Sequence, residues 1–356
     1  MTRSFPTRRQ GSAVGAAVLA LALAATACSS DAGDDAVGET SAPPSSPSAS
    51  TAEAEPTTTT DAADEAEEPA EVEPFAVTDA FGNEVTVPGD PQRVFAGDDT
   101  SLANLLALGV VPVGTAVNQN AVPDFLGDQM DGIADVSADN GFGINIEALA
   151  ALEPDLIIGP GTTQLQLQYE LASEVAPTYA YQYGYASGDE LRTNLTDVAR
   201  LFGLEDRADE IIADLDDRIA DLGERLAASE RADETVSVVR IFRDGSGISL
   251  RHGTTESVLM AEVGVVRPEN QQSIEAFATD LSLESLQLAD ADTIYVYLDD
   301  PDDPAVYDEM IDSALWQTLA AVQNDRVFVV DGGVWNGISI TAANLILDDL
   351  EQTLDL

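Results

Sequence analysis

The sequence predicts an α/β protein made of two similar lobes with a long helix between them. Three observations support this fold class. Strand-like and helix-like patterns alternate from about residue 75 onward, two segments 137 residues apart share one pattern, and the stretch between them has the periodicity of a single helix. With 356 residues, 44% of them hydrophobic, the chain is long enough to bury the cores of two such lobes.

Residues 1–27 have the composition of a signal peptide. Three arginines precede an apolar run over residues 13–25, which is too short to span a bilayer as a mature helix. We therefore expect an exported protein.

The apolar run ends in "LAATACSS", and Cys28 is the only cysteine, so no internal disulfide is possible. This stretch resembles a bacterial lipobox, in which signal peptidase cuts before the cysteine and the thiol carries a lipid. We therefore expect a lipid anchor at Cys28, on the extracytoplasmic face of the cell membrane. A plain secretory signal with an incidental cysteine is the alternative.

Residues 28–74 are predicted to comprise the lipidated Cys28 and a disordered linker. The segment is rich in Ser, Thr, Pro, Ala and acids and contains no aromatic residue, so it cannot bury enough surface to fold.

The chain is strongly acidic, with 65 Asp and Glu against 15 basic residues, all of them Arg, and a formal charge of −50. This charge argues against nucleic-acid binding, which depends on basic contacts to phosphate. We interpret the acid excess as adaptation of the surface to salt, which would screen the self-repulsion. A specific binding role for the acids is the alternative.

The N-terminal lobe is predicted over residues 75–204. It opens with "FAVTDAFGNEVTVPGDPQRVFAG", in which valines alternate around Gly82-Asn83 as in a hairpin, and "RVFAG" follows as the first core strand. "SLANLLALGVVPVG" then predicts a helix that ends at Gly109.

The segment "INIEALAALEPDLIIG" at residues 144–159 is matched by "SLESLQLADADTIYVY" at residues 282–297. The match aligns Glu147 with Glu284 and Asp155 with Asp292, so each copy has an acid in a short helix and an Asp before a buried strand. A second match aligns "LLALGVVP" with "LMAEVGVVRP". These matches indicate two similar lobes, with chance agreement of short apolar patterns as the alternative.

The inter-lobe helix is predicted over residues 205–230. The C-terminal lobe is predicted over residues 231–356. Apolar residues recur at spacings of three and four in the helix and are flanked by acids and Arg. A helix of roughly 25 residues is about 37 Å long and can cross between lobes. An ordinary surface helix of one lobe fits the pattern equally well.

With these pieces together, the chain resembles the substrate-binding lipoproteins of ferric-siderophore ABC importers, a group with cobalamin- and haem-binding relatives. The resemblance runs from about residue 77 to the end, through the segments quoted above, "ELASEVAPTYAY" and "WQTLAAVQNDRVFVVDGG". It implies two Rossmann-like lobes joined by one rigid long helix, with the ligand in the cleft between them.

The resemblance also implies a role for the aligned acids Glu147 and Glu284. In the family, matching glutamates, one on each lobe, insert into Arg-lined pockets of the two permease subunits. Two charged groups at opposite ends of a stiff body suit a two-fold permease. Taken alone, Glu147 is better explained by its favourable interaction with the positive end of its helix, and it is the matching acid Glu284 in the other lobe that favours docking.

Arginines are candidates for the ligand site because they are scarce in this chain. Arg240, Arg243 and Arg251 surround a predicted hairpin turn, and strand alternation puts the first two on opposite faces. Arg240 lies where siderophore-binding relatives commonly place a cleft arginine, and Arg251 is expected to join it. Guanidinium groups suit carboxylate or catecholate oxygens. Salt bridges in an acidic protein are the alternative.

Aromatic residues follow predicted strands of both lobes, where open α/β sheets bind ligands. Tyr181, Tyr183 and Tyr185 alternate onto one side, and Trp335 follows a strand of the C-terminal lobe. We expect these side chains to pack on a chelate, with ordinary core or surface packing as the alternative.

No resident cofactor and no protein-held metal are expected. With His252 as the only histidine, and Cys28 assigned to the lipid, the chain cannot build a nitrogen- or sulfur-rich metal site. His252 is interpreted as a loop residue, because no second axial haem ligand is apparent. An enzyme is not expected either, since motifs for nucleophile activation, phosphate binding and dinucleotide binding are missing.

The predicted function is therefore that of a lipid-anchored receptor, acting as a monomer. It would capture a ferric siderophore and deliver it to an ABC permease dimer driven by a cytoplasmic ATPase. A cobalamin or haem receptor of the same fold is one alternative. A cell-surface lipoprotein that does not transport is the other.

Overall fold

The structure is a computed structural model that describes residues 72–117, 124–138, 143–183, 190–242, 247–273, 278–300 and 304–356. These described residues belong to one compact unit, with one five-stranded sheet in each half of the chain. Over the described ranges, no helix is both long enough and apolar enough to cross a membrane.

The predicted hairpin is confirmed as the antiparallel pair β1 (Phe75–Thr78) and β2 (Glu84–Val87). Asp79 organises the turn, because its Oδ1 accepts hydrogen bonds from the backbone N–H of Phe81 at 3.0 Å and of Asn83 at 2.8 Å. Gly82 has a φ of +83°, in the left-handed region that glycine adopts without strain.

The N-terminal lobe is built on an all-parallel sheet with the order β5-β4-β3-β6-β7. Its strands are β3 (Val94–Ala96), β4 (Gly114–Thr115), β5 (Ala134–Asp135), β6 (Leu156–Pro160) and β7 (Thr178–Tyr181). Its helices are α1 (Asp99–Leu108), α2 (Ile146–Ala151), α3 (Thr163–Val175) and α4 (Glu190–Arg200), with a 3₁₀ segment at Asp124–Met130.

The predicted long helix is α5 (Glu205–Ala228), which has 24 residues and is therefore about 36 Å long. Its buried face includes Leu215, Ile219, Leu222 and Leu226, as the apolar spacing predicts. Gly223 lies within this helix because a Cβ there would stand 3.0 Å from the carbonyl oxygen of Val263.

The C-terminal lobe has a mixed sheet with the order β10-β9-β8-β11-β12, in which β8, β11 and β12 are parallel to one another and β9 is antiparallel to both its neighbours. The strands are β8 (Val236–Ile241), β9 (Ile248–Arg251), β10 (Ala278–Leu281), β11 (Thr293–Leu298) and β12 (Val327–Val329). The helices are α6 (Thr255–Val263), α7 (Ala305–Asp312), α8 (Ala320–Gln323), α9 (Gly332–Trp335) and α10 (Ile340–Thr353). Further 3₁₀ segments are Glu269–Gln271, Leu283–Ala289 and Trp316–Thr318.

The matched segments occupy equivalent places in the two lobes. Asp155 accepts hydrogen bonds from the backbone N–H of Gln92 at 2.7 Å and of Arg93 at 3.0 Å, directly before β3. Asp292 accepts one from the backbone N–H of Thr235 at 2.7 Å, directly before β8. Each aspartate thus ties the entry of one central strand to the entry of its neighbour, so the repeat is structural.

The second match is also confirmed, because Gly109 and Gly264 end α1 and α6 in the same left-handed conformation, with φ of +85° and +89°. A difference between the lobes lies in the short acidic helices. The first copy is the α-helix α2, which Asn145 caps by accepting from the N–H of Ala148, whereas the second copy is the 3₁₀ segment Leu283–Ala289, for which no side-chain cap bond is formed by Ser282.

One continuous apolar core joins the two lobes. It contains Leu102 of α1, Leu215 of α5, Met260 of α6 and Leu347 of α10, all fully buried. Helix α10 belongs to the C-terminal lobe by sequence, yet it packs against α1 and α4 of the N-terminal lobe as well as against α5 and α6. The connection between the lobes therefore consists of α5 together with this shared core.

Candidate functional site

The N-terminal lobe carries a pocket at the carboxyl ends of β3, β4 and β6, with a volume of about 160 Å³. The chain leaves β3 toward β4 on one side and later returns to β6 on the other, so the pocket lies at the switch point of the sheet, where open α/β sheets bind ligands. We call its lining the N-lobe wall, with Gly97, Asp98, Val117, Thr162, Gln168 and Tyr183 among its residues.

Asp98 is the charged group of the N-lobe wall. It caps α1, with Oδ1 accepting from the backbone N–H of Ser101 at 2.9 Å, and its Oδ2 accepts from the hydroxyl of Tyr181 at 2.7 Å. Burial raises the pKa of the Asp98 carboxyl above its ordinary value, although the hydrogen bonds from Ser101 and Tyr181 act in the opposite direction. Burial, followed by the neighbouring Asp98 charge, also raises the pKa of Tyr181 well above its ordinary value.

The switch point of the second sheet lies between β8 and β11, and Arg240 stands beside it, paired in register with Tyr297. Arg240 forms a two-pronged ion pair with Asp299, through Nε to Oδ1 at 2.7 Å and Nη2 to Oδ2 at 2.8 Å. Its guanidinium carbon also lies 5.3 Å from the centre of the Phe242 ring. The side chains of Arg240 and Asp299 keep 19% and 12% exposure, so the pair is accessible from the surface.

Arg251 lies deeper on the same face, two residues beyond Ser249, which is the register partner of Arg240. Its Nη2 donates to Oδ1 of Asn336 at 3.0 Å, and its Nε lies 3.4 Å from Oε1 of Glu256. Arg251 and Glu256 are each 1% exposed, so this ion pair is sealed in the lobe. We call Arg240, Asp299 and Asn336 the C-lobe wall, which the buried residues Arg251 and Tyr297 support from inside the lobe through Asn336.

A second buried guanidinium supports the C-lobe wall from behind. Nη2 of Arg267 donates to the backbone carbonyl of Arg251 at 2.5 Å and to Oε1 of Gln271 at 2.9 Å. Burial lowers the pKa of Arg267 to about 10, and the nearby Glu256 charge partly offsets that effect. Arg267 therefore remains charged at neutral pH and holds the end of β9 in place.

The predicted aromatic residues have different environments. Tyr183 is half-buried and lines the N-lobe wall, and its ring centre lies 6.4 Å from that of Tyr181. Tyr181 itself is fully buried behind Asp98. Tyr185, like Arg243, lies outside the described residues.

The structure places Trp335 in the core and not on the cleft surface. The residue is 0% exposed, its ring centre lies 4.4 Å from that of Tyr295, and its Nε1 donates to Oδ2 of Asp349 at 2.7 Å. A tryptophan whose indole N–H is satisfied inside the protein is a packing residue of α9.

The two candidate docking acids are both solvent-exposed. Glu147 lies in the first turn of α2, and Glu284 lies in the first turn of the 3₁₀ segment Leu283–Ala289. The leucines that follow them by two positions, Leu149 and Leu286, are fully buried. The matched segments thus present one acid on each lobe over an equivalent apolar anchor.

Most of the sequence that forms the two lobes matches one known protein family. A sequence model of the family described as periplasmic binding protein matches residues 94–333. The chain belongs to the periplasmic binding protein family. Proteins of this family bind solutes for transport and are not enzymes, which is in line with the site described above.

Several relatives of this periplasmic binding protein are known. The probable siderophore-binding lipoprotein YfiY of Bacillus subtilis is 32% identical over 289 residues, covering 77% of this chain and 86% of that protein. Staphylococcus aureus SirA complexed with staphyloferrin B has a TM-score of 0.67 at 23% identity, covering 79% of this chain and 98% of that one. The siderophore periplasmic binding protein from the fuscachelin gene cluster of Thermobifida fusca has a TM-score of 0.61 at 26% identity, with coverages of 76% and 98%.

Two residues of this periplasmic binding protein's site were not among the sequence candidates. Asp98 follows the first core strand in "FAGDDTS" and has the capping partner Ser101 three positions later, which is a signal for a helix start at a strand end. Asp299 directly follows the strand "TIYVYL". In an acid-rich chain neither position stands out, and only the sheet topology brings them to the switch points.

Proposed function

We propose that this protein is the extracytoplasmic receptor of an ABC importer, which captures a ferric siderophore and delivers it to a membrane permease. The observation that carries the proposal is the pair of polar walls at the switch points of two sheets, held by one shared core. The sequence relationship to a probable siderophore-binding lipoprotein supports the same class of ligand.

The proposed ligand site lies between the N-lobe wall and the C-lobe wall. Tyr183 and Asp98 offer an aromatic surface and a hydrogen-bonding group from one side, and Arg240 offers a partly exposed guanidinium from the other. Contact between α9 and the 3₁₀ segment Asp124–Met130 supports the closeness of the two lobes at this edge. The shared core favours a small change of shape on binding.

Delivery is proposed to use Glu147 and Glu284 as docking groups for a permease dimer. Exposed carboxylates on two similar lobes suit two equivalent basic pockets. Cys28, which lies outside the described residues, is proposed to carry the lipid that holds the receptor on the extracytoplasmic face of the cell membrane as a monomer. The lipoprotein name of the relative supports this location.

Iron is proposed to enter and leave inside its chelate, without a resident cofactor. Within the described ranges, no three His, Cys, Asp or Glu residues group as metal ligands. Both ring nitrogens of His252 are engaged, Nδ1 with the carbonyl of Ser273 at 2.8 Å and Nε2 with the hydroxyl of Thr279 at 3.0 Å. This arrangement does not favour axial ligation of haem.

The test is a fluorescence titration of the purified soluble chain, without its lipid, against ferric hydroxamates, catecholates and carboxylates, with haem and cobalamin alongside. We expect saturable quenching by at least one ferric chelate, because the chelates absorb light that tryptophan emits. A response to haem or cobalamin alone would assign the receptor to that relative's class of ligand. Absence of any response would favour a lipoprotein that does not transport.

A further inference from the structure

One side chain of the N-lobe wall, Gln168 of α3, holds the main chain of the segment that leads into α2. Its Oε1 accepts a hydrogen bond from the backbone N–H of Ile144 at 3.0 Å, and its Nε2 donates to the carbonyl oxygen of the same residue at 3.1 Å. The side-chain amide thus makes the two bonds that a residue of a neighbouring strand would make. Gln168 and Ile144 both line the pocket, so this contact lies at the ligand site.

The contact between Gln168 and Ile144 depends on the glycine that precedes Ile144. Gly143 also lines the pocket, and its φ of +92° lies in the region that glycine adopts without strain. A Cβ at this position would stand 2.5 Å from Oε1 of Gln168, which is too close for van der Waals contact. The sequence therefore supplies both the amide on α3 and the space that the amide needs beside the pocket.

The same wall of the pocket is tied to a neighbouring strand. Ser137 pairs with Ile144 in an antiparallel bridge, and its Oγ accepts a hydrogen bond from the backbone N–H of Val117 at 3.0 Å. Val117 also lines the pocket. Hydrogen bonds therefore connect three lining residues, Val117, Ile144 and Gln168, and a ligand that contacts one of them bears on all three.

The segment that Gln168 holds is the start of the helix that carries Glu147. Asn145 directly follows Ile144 and caps α2, with its Oδ1 accepting from the backbone N–H of Ala148 at 3.1 Å. Glu147, the proposed docking acid, is the second residue of this helix. Because α2 has only six residues, its orientation depends on how its first turn is held.

We propose that Gln168 links occupation of the ligand pocket to the presentation of Glu147. A chelate in the pocket adds contacts to the wall and so favours the arrangement in which Gln168 holds Ile144. The start of α2 is then steadied, and the carboxylate of Glu147 is held in one direction for the permease. This inference rests on the proposed function and gives Gln168 a positioning role in it.

The test follows hydrogen–deuterium exchange of the peptide that covers residues 144–153, by mass spectrometry on the purified soluble chain without its lipid. Exchange is compared without chelate and with a saturating ferric chelate. The chelate is ferrichrome, ferric enterobactin or ferric citrate, according to which of them binds in the fluorescence titration. We expect the chelate to slow exchange of this peptide at least about threefold in the wild-type protein.

Gln168→Met removes both hydrogen bonds to Ile144 and keeps the length of the side chain. Without chelate, exchange of the peptide should be at least about twofold faster than in wild type. Chelate at a concentration that saturates the variant should change its exchange by less than about 1.5-fold.

Tyr169→Phe is the matched control on the same helix. The Tyr169 hydroxyl lies 2.6 Å from Oδ2 of Asp79, so its contact is with the β1–β2 turn and not with α2. In this control the chelate should slow exchange of the peptide as much as it does in wild type, because the contact between Gln168 and Ile144 is retained.

The outcomes separate this inference from the proposed function. Equal slowing by the chelate in wild type and in Gln168→Met would overturn the link and leave siderophore capture intact. Unchanged exchange of the peptide in wild type saturated with chelate would do the same. A loss of slowing in Tyr169→Phe as large as in Gln168→Met would overturn the assignment to Gln168. If no ferric chelate binds, the proposed function is wrong and this inference falls with it.

Discussion

Arg192 of α4 donates to Glu262 of α6, through Nη2 to Oε2 at 3.0 Å and Nη1 to Oε1 at 3.2 Å, so a direct ion pair links the two lobes. The same guanidinium donates from Nε to Oδ1 of Asp216 on α5, at 2.9 Å. One side chain therefore connects the N-terminal lobe, the long helix and the C-terminal lobe. With the shared apolar core, it restricts rotation of one lobe against the other.

Replacing Arg192 by Gln should lower the free energy of unfolding by about 1 kcal/mol at low salt, because two partly exposed ion pairs are lost. The loss should shrink in 1 M salt, which screens such pairs. Urea denaturation at both salt concentrations measures the effect. Arg207→Gln is the control, since Arg207 pairs only with Glu210 of its own helix among the described ion pairs. Equal losses in the two variants would contradict an inter-lobe role.

The aspartates before the central strands predict matched stability losses in the two lobes. Asp155→Ala and Asp292→Ala each remove a carboxylate that accepts from backbone N–H groups, and each should cost about 1–2 kcal/mol of unfolding free energy. Thermal and urea denaturation give the values. Asp209→Ala on the exposed face of α5 should be close to neutral. If only one of the two variants loses much unfolding free energy, the two aspartates are equivalent in position but not in their contribution to stability.

The docking proposal predicts a separation of import from ligand binding. Glu147→Ala combined with Glu284→Ala should reduce uptake of radioactive ferric chelate at least about tenfold, because both charge contacts with the permease are lost. The affinity of the purified protein for the chelate should be unchanged. Glu170→Ala with Glu309→Ala removes one exposed acid from each lobe elsewhere and serves as the control. Normal import by the first double variant would reduce those acids to helix-end groups.

Asp98 predicts a pH-dependent effect on stability. Because its pKa is raised in the folded state, the folded protein binds this proton more readily than the unfolded chain, whose value is near 3.8. Ionisation of Asp98 therefore costs stability in the folded protein. This cost begins as the pH rises above about 4 and grows as the pH passes the raised pKa of the folded state. Asp98→Asn retains the cap oxygen for Ser101 and should become more stable than wild type with rising pH. The urea midpoints of the variant and the wild type are compared between pH 4 and pH 8. A difference in stability that does not change with pH would contradict the prediction.

The burial of Trp335 predicts a structural effect without a binding effect. Trp335→Phe leaves the half-buried Asp349 carboxylate without its indole donor and should cost about 1–3 kcal/mol of unfolding free energy. Burial raises the pKa of Asp349, and loss of that hydrogen bond should raise it further. Chelate affinity, followed through Trp316 or by equilibrium dialysis, should remain within about threefold of wild type. A tenfold loss of affinity at unchanged stability would place Trp335 in the ligand site.

Local patterns were sufficient to predict the elements of the fold. The turn at Gly82, the apolar spacing of α5 and the paired positions of Gly109 and Gly264 are each determined by residues close in sequence. The alignment of Asp155 with Asp292 extended this to the relation between lobes. Three kinds of sequence pattern were enough to predict these features: apolar periodicity, helix-capping residues and the internal repeat.

The environment of the site residues was not available from such patterns. Arg240 meets Asp299 across 59 residues of sequence, and Trp335 finds its partner on α10, a helix whose contacts with both lobes are tertiary. The segment Gly-Gly-Val-Trp-Asn-Gly around Trp335 resembles a loop in the sequence, and only the packing of α10 shows that the tryptophan is buried. Long-range packing therefore decided which predicted ligand residues face the cleft and which are buried.

The position of α10 constrains the order in which the molecule matures. A chain that emerges N-terminus first presents α1 about 240 residues before the helix that completes its apolar surroundings. Until α10 has been made, the apolar surface around Leu102 stays exposed in the first half of the chain. That surface is covered only when contacts form between residues far apart in the sequence, which is slow. Biogenesis of this receptor is thus governed by its final helix, and a truncation there would leave both halves unfinished.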